Sequence, residues 1–164
     1  MKKKKEYTLD DLLKPEMMIH LYNQGAFPMA DSEEEINWYM PEVRTVIPVV
    51  EFNVPRSLKK YLSKSGFEYK FDTCRLEVIK NCAAREETWI SNRLIEAYKN
   101  LIDLGYLHSV ETYLDGQLAG GLYGIAYKGA FFGESMFSIV PQASKGAFVK
   151  LAERLSEKGF TIID

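Results

Sequence analysis

Leu107–Ser138, LHSVETYLDGQLAGGLYGIAYKGAFFGESMFS, decides the fold. Two apolar runs, Leu107 to Leu114 and Gln117 to Tyr127, flank Asp115-Gly116, a dipeptide that suits the positive φ angles of a tight hairpin. Lys128-Gly129 turns the chain again into Ala130 to Phe137, so the segment reads as three antiparallel strands in a meander. Its last strand, Phe131-Phe132-Gly133-Glu134-Ser135-Met136-Phe137-Ser138, sets one carboxylate among large apolar side chains. Strand alternation puts Glu134 on the face of Phe132 and Met136. A carboxylate there must be hydrogen-bonded, paired or neutral, since leaving it dry and alone costs several kcal/mol or raises its pKa by as much as roughly 3–5 units. Two readings stay open on these residues: a core acid satisfied by amides or an Arg, or a functional group.

Working outward, Ser91 caps a helix in which Leu94, Ile95, Tyr98, Leu101 and Ile102 recur at helical spacing, with Gly105 as its stop. Phe67 to Asp72 reads as a strand and Thr73 to Ala83 as a helix. After the meander, Ser144 to Lys158 forms an amphipathic helix with Phe148, Leu151, Ala152 and Leu155 inside, followed by a strand from Phe160 to Asp164. Upstream, Pro15 and Gly25 bracket a helix whose apolar side is Met17, Met18, Leu21 and Tyr22, and Phe27-Pro28 turns the chain. Ile36 to Met40 and Arg44 to Val50 read as a strand pair broken by Pro41, and Pro55 to Ser65 as a helix closed by Gly66. The expected organisation is α+β, with a small N-terminal domain over 1–66 and a larger one over 67–164.

A chain of 164 residues, 46% hydrophobic, typically buries about 70% of its unfolded surface and needs neither disulfide nor metal to fold. Cys74 and Cys82 sit eight positions apart on one expected helix, too far along its axis to bridge, which suits a reducing compartment. His20 and His108 are far apart in sequence without a Cys or carboxylate cluster at ligand spacing, so no metal site is indicated. Lys2 to Lys5 form a basic run with no apolar segment behind it, and nowhere do 18 apolar residues run together, so a cytoplasmic protein with no membrane partner is expected. A net charge of -2 argues against a wholesale nucleic-acid coat but leaves room for a local basic patch. Arg56, Lys59, Lys60 and Lys64 form such a stripe at i, i+3, i+4 and i+8, with no acid among residues 55 to 65. No feature of the sequence specifies an oligomeric state.

Tyr22-Asn23-Gln24-Gly25-Ala26-Phe27-Pro28, Thr88-Trp89-Ile90, His108-Ser109-Val110-Glu111, Gly120-Gly121-Leu122-Tyr123-Gly124, Phe132-Gly133-Glu134-Ser135-Met136-Phe137-Ser138, Ala143-Ser144-Lys145 and Ile162-Ile163-Asp164 occur in one order. Together they closely resemble the leucyl/phenylalanyl-tRNA–protein transferase family, from about Tyr22 to the last residue. The resemblance implies a small N-terminal domain joined to a GNAT-like acyltransferase domain with a mainly antiparallel sheet. It implies transfer of leucine or phenylalanine from aminoacyl-tRNA to proteins with N-terminal Arg or Lys, tagging them for N-end-rule degradation. It also implies no metal and no coenzyme A as cofactor. Coenzyme A-binding GNAT domains present glycines to a pyrophosphate before their long helix, and Lys145 occupies one of those glycine positions here.

By the same resemblance, Glu134 lies near the substrate amino groups and Asp164 in the relay that activates the base. Leu122, Phe131, Phe148 and Ile163 form the aminoacyl pocket, although residues alone would make them ordinary core. Phe131 and Glu134 fall on opposite faces by strict alternation, so a bulge at Gly133 is required if both meet substrate. Tyr22 and Trp89 are expected to stack on the terminal adenosine, with Met29 standing where many relatives carry a Trp. The basic stripe becomes the track for acceptor-stem phosphates. The family motif continues past Asp164 to a Gln proposed as the base, so the chain is expected to be C-terminally incomplete and impaired as it stands. The competing readings are a non-catalytic remnant that binds tRNA ends or basic N-terminal peptides, and an acetyl-CoA-dependent acetyltransferase.

Overall fold

A computed structural model describes residues 7–164; the Lys2–Lys5 run lies outside the described residues. Helices α1 (Leu9–Leu12) and α2 (Pro15–Asn23) lead into a two-stranded hairpin of β1 (Phe27–Ala30) and β2 (Ile36–Tyr39). Then follow β3 (Ile47–Pro48), α3 (Arg56–Leu62), β4 (Glu68–Phe71), α4 (Arg75–Ala83) and α5 (Asn92–Asp103). The meander is β5 (Leu107–Leu114), β6 (Gln117–Tyr127) and β7 (Ala130–Ser138), after which come α6 (Ala143–Glu157) and β8 (Ile162–Ile163). Six strands form one sheet in the order β3-β8-β7-β6-β5-β4, antiparallel except for the β7–β8 pair.

The meander forms as its turn residues dictate, with Asp115, Gly116 and Lys128 all at positive φ. Ser91 caps α5 as its position suggests, its side chain accepting from the Leu94 N–H at 3.2 Å. Helices cover the sheet on both faces. On one, Val78, Ile79, Tyr98 and Leu101 of α4 and α5 pack with Tyr22, Tyr123 and Ile125; on the other, Ala147, Leu151 and Leu155 of α6 pack with Val110, Leu122, Phe131 and Ile163. Alternate residues of β6, Leu122 and Tyr123, thus enter two separate cores.

The N-terminal strands depart from expectation. Ile36–Tyr39 pairs with Phe27–Ala30, not with Arg44–Val50, and Ile47–Pro48 instead joins β8 at the edge of the large sheet. Pro28 is tolerated because a two-stranded hairpin consists only of edges, where a missing N–H can face outward. The expected helix over Pro55 to Ser65 is shorter, ending at Leu62, which leaves Lys64 beyond its last turn. The last strand lies inside the sheet, between β3 and β7.

Candidate active site

The β6–β7 ladder holds its register from Tyr127↔Ala130 to Gly124↔Gly133, then skips one residue and resumes at Tyr123↔Ser135. Glu134 is the extra residue of a β-bulge, the device that re-aims side chains next to active sites. It stays on the side of Phe132. The Phe132 ring lies 5.4 Å from that of Tyr22, and the Tyr98 hydroxyl donates to Glu134 Oε2 at 2.8 Å. Met136, expected on that same face, has been carried to the other: it pairs with Leu122 and lines a cavity with Phe131. Strict alternation fails there because the bulge resets the parity of every residue after it.

That cavity, about 450 Å³, gathers Leu122, Phe131, Phe148 and Ile163 with Glu134, Asp164 and Trp89. A smaller cavity of about 220 Å³ adjoins it, lined by Phe27, Met29, Arg44 and Phe132 and by Trp89, Gly133, Glu134 and Asp164, which border both. A third, about 710 Å³, runs between α3 and α6 and shares Met136 and Phe148 with the first. The exposed side chains of Arg56, Lys59, Lys60 and Lys64 belong to α3 and the turn after it, and Lys145 of α6 lines the third cavity.

Burial pushes Glu134 up to about 7, helped by the charge of Asp164 and opposed by the Tyr98 and Tyr22 hydroxyls and by Arg44. The Tyr22 hydroxyl reaches toward this carboxylate without meeting a hydrogen bond's geometry, and the Tyr123 hydroxyl is likewise buried with no hydrogen-bond partner among the described residues. Burial and the nearby Glu134 charge hold all three phenols neutral, well above their usual range. At neutral pH Glu134 therefore exists in both protonation states, which suits a group that must take and return a proton.

Asp164 is held differently. Arg44 grips it with two parallel bonds, Nε to Oδ1 at 3.0 Å and Nη2 to Oδ2 at 2.5 Å. The same guanidinium donates to the Gly25 carbonyl at 2.8 Å and lies 4.7 Å over the Phe27 ring, tying the hairpin to the end of β8. Arg44 escaped the sequence reading because its partner is 120 residues away and nothing local marks it. Tyr98 carried a readable signal, since a tyrosine on the apolar side of a helix needs a partner for its buried hydroxyl. Arg85 was also missed; it borders the 450 Å³ cavity and donates to the Met136 carbonyl at 2.5 Å.

One expected contact is corrected. Tyr22 is fully buried, edge-on to Trp38 and tilted against Phe132, so no base can stack on it; it seals the floor beneath Glu134. Trp89 and Met29 remain at the cavities. Among the described residues no group of three or more His, Cys, Asp or Glu side chains is placed to hold a metal, and no helix is long and apolar enough to cross a membrane.

Residues 46–164 match the family described as leucyl/phenylalanyl-tRNA protein transferase, and residues 11–42 match the N-terminal domain of the same family. A leucyl/phenylalanyl-tRNA–protein transferase of Thiobacillus denitrificans is 47% identical over 156 residues, which span 93% of this chain and 68% of that protein. One from Salinibacter ruber is 43% identical over 157 residues, 95% of this chain and 70% of the relative. Among solved structures, the C-terminal domain of a putative lysylphosphatidylglycerol synthetase from Agrobacterium fabrum superposes with a TM-score of 0.50 at 16% identity, over 92% of this chain and 51% of that one. A Bacteroides thetaiotaomicron protein of unknown function gives the same score at 11% identity, covering 92% and 57%. These likenesses place the sheet and its helices in the GNAT-like acyltransferase fold.

Proposed function

Because this chain belongs to the leucyl/phenylalanyl-tRNA–protein transferase family, we propose that its cavity of about 450 Å³, beside Glu134, seats the leucyl or phenylalanyl side chain of an aminoacyl-tRNA. The chain is an aminoacyltransferase: it moves Leu or Phe from aminoacyl-tRNA to the N-terminus of a protein. The single observation that carries the assignment of the site is the bulge, which sets a half-buried acid at the rim of an apolar cavity.

The aminoacyl ester is already activated, so catalysis consists of alignment and proton handling. The acceptor's amino nitrogen attacks the ester carbonyl, a C–N bond forms, the ester C–O bond breaks and the ribose hydroxyl departs with a proton. Glu134, with a pKa near neutral, takes the proton that the amine releases and hands it to the departing ribose oxygen, which returns the carboxylate to its starting state. Asp164 is already paired with Arg44, so its part is to fix the end of β8 beside the reacting centre. Glu134 is then the acid left to meet a cationic acceptor, which favours N-terminal Arg or Lys. Trp89 and Met29 flank the terminal adenosine in the smaller cavity.

The basic stripe of Arg56, Lys59, Lys60 and Lys64 guides the acceptor stem along α3. Reversing charge at Lys59 and Lys60 is expected to weaken tRNA binding and to lower the slope of log affinity against log salt by about 2. Filter binding across a salt series measures both, and an unchanged slope removes the stripe from tRNA recognition.

The assignment is tested by incubating the protein with radiolabelled leucyl- or phenylalanyl-tRNA and acceptors that differ only in their first residue. Label is expected on the α-amino group of Arg- and Lys-starting acceptors. Equal labelling of acceptors starting with Asp would remove the acceptor preference, and labelling from acetyl-CoA but not from tRNA would overturn the function.

A further inference from the structure

Gly133 lies at the centre of the site beside the bulge, yet neither its backbone angles nor its packing requires a glycine there. Its φ is not positive, and a Cβ built on it would meet nothing nearer than the Asp164 carbonyl oxygen at 3.5 Å, an ordinary contact. Its ladder partner Gly124 is the opposite case, where a Cβ would sit 2.2 Å from the Phe132 carbonyl oxygen. Glycine inside a strand is costly relative to alanine, because more backbone freedom is lost on folding and no side chain packs in return. The space that a side chain would fill is nevertheless open, since Gly133 is exposed and borders both the 450 Å³ and the 220 Å³ cavity. The other residues common to the two are Trp89, Glu134 and Asp164, so both carboxylates stand where the cavities join.

Resting on the reading of the two cavities given above, we infer that Gly133 is a specificity-determining residue, a bare sill across which the ester of aminoacyl-tRNA lies. A ligand that fills both cavities must cross the strip of backbone between them. Any side chain at 133 rises into that crossing, and its Cβ blocks the path without touching the core. The ligand selected is therefore one whose two ends are joined with little bulk at the junction that crosses Gly133. The Gly133 N–H, which donates to the Asp164 carbonyl at 2.9 Å, is retained by any non-proline replacement, so the strand contact survives substitution.

The test uses Gly133→Ala and Gly133→Val in the full chain, with a 3′-deoxyadenosine carrying phenylalanine through a stable 3′-amide as the probe. Isothermal titration reads its affinity, and circular dichroism reads the unfolding temperature. Affinity is expected to fall by a few-fold for Gly133→Ala and by about 30-fold for Gly133→Val, with neither variant unfolding earlier than the parent. Binding by Gly133→Val within about two-fold of the parent overturns the inference. So does a lowered unfolding temperature, because the glycine would then serve the fold. Failure of the parent itself to bind the probe overturns the underlying reading of the cavities.

Discussion

Glu134→Gln is expected to disable transfer while making the protein harder to unfold at pH 8. The folded-state pKa of this carboxyl is raised from 4.5 to about 7, chiefly by burial. For a group with a raised folded pKa, the stability it contributes is present below the unfolded value and lost as pH rises through the folded one. Above about pH 7 the folded protein carries an ionised, desolvated carboxylate at a cost on the order of 3 kcal/mol. Glutamine keeps an oxygen that can accept from Tyr98 and removes the charge. The variant should unfold roughly 6–12 °C above the parent at pH 8, and the gap should close toward pH 4. Transfer should fall by about 100-fold or more, the usual worth of a positioned proton acceptor. Melts at a series of pH values and single-turnover transfer measure the two effects. A pH-independent difference in unfolding temperature would show that Glu134 is not a strained acid, and undiminished transfer would remove it from the chemistry.

Gly124→Ala is expected to damage the fold most directly. An added Cβ would meet the Phe132 carbonyl oxygen at 2.2 Å and the Phe131 ring at 2.5 and 2.7 Å. Neither neighbour can move cheaply: the oxygen belongs to the facing strand, and the ring is a buried wall of the aminoacyl cavity. The loss should be about 3–5 kcal/mol, lowering the unfolding temperature by about 10 °C or more. Urea titration followed by tryptophan fluorescence reads it, and a loss below about 1 kcal/mol would mean that the bulge is not packed as described.

How much of this was readable in the chain differs sharply along its length. Asp115-Gly116, Lys128-Gly129 and the Ser91 cap act through local backbone chemistry, and the meander and α5 stand where those residues put them. The four aminoacyl-pocket residues were reached by resemblance, because leucine, phenylalanine and isoleucine in strands look alike whether they line a core or a cavity. The hairpin of β1 and β2 was missed because Phe27-Pro28 reads locally as a break, while its pairing with Trp38 and Tyr39 is a matter of tertiary context. The position of Met136 was misjudged for a different reason. A bulge at Gly133 re-aims Phe131 relative to Glu134, and it also flips every residue beyond it, Met136 included, which strict alternation does not show. The grip of Arg44 on Asp164 joins opposite ends of the chain and leaves no local trace.

The skipped residue in β7 also says what kind of compromise this strand embodies. Removing Glu134 would leave Gly133 and Ser135 adjacent, facing Gly124 and Tyr123 in unbroken succession, an uninterrupted ladder of matched neighbours. The acid is thus an insertion that the sheet accommodates rather than uses. A shortened chain would heal into a more regular fabric, and in doing so would forfeit the one irregularity that gives it a chemistry.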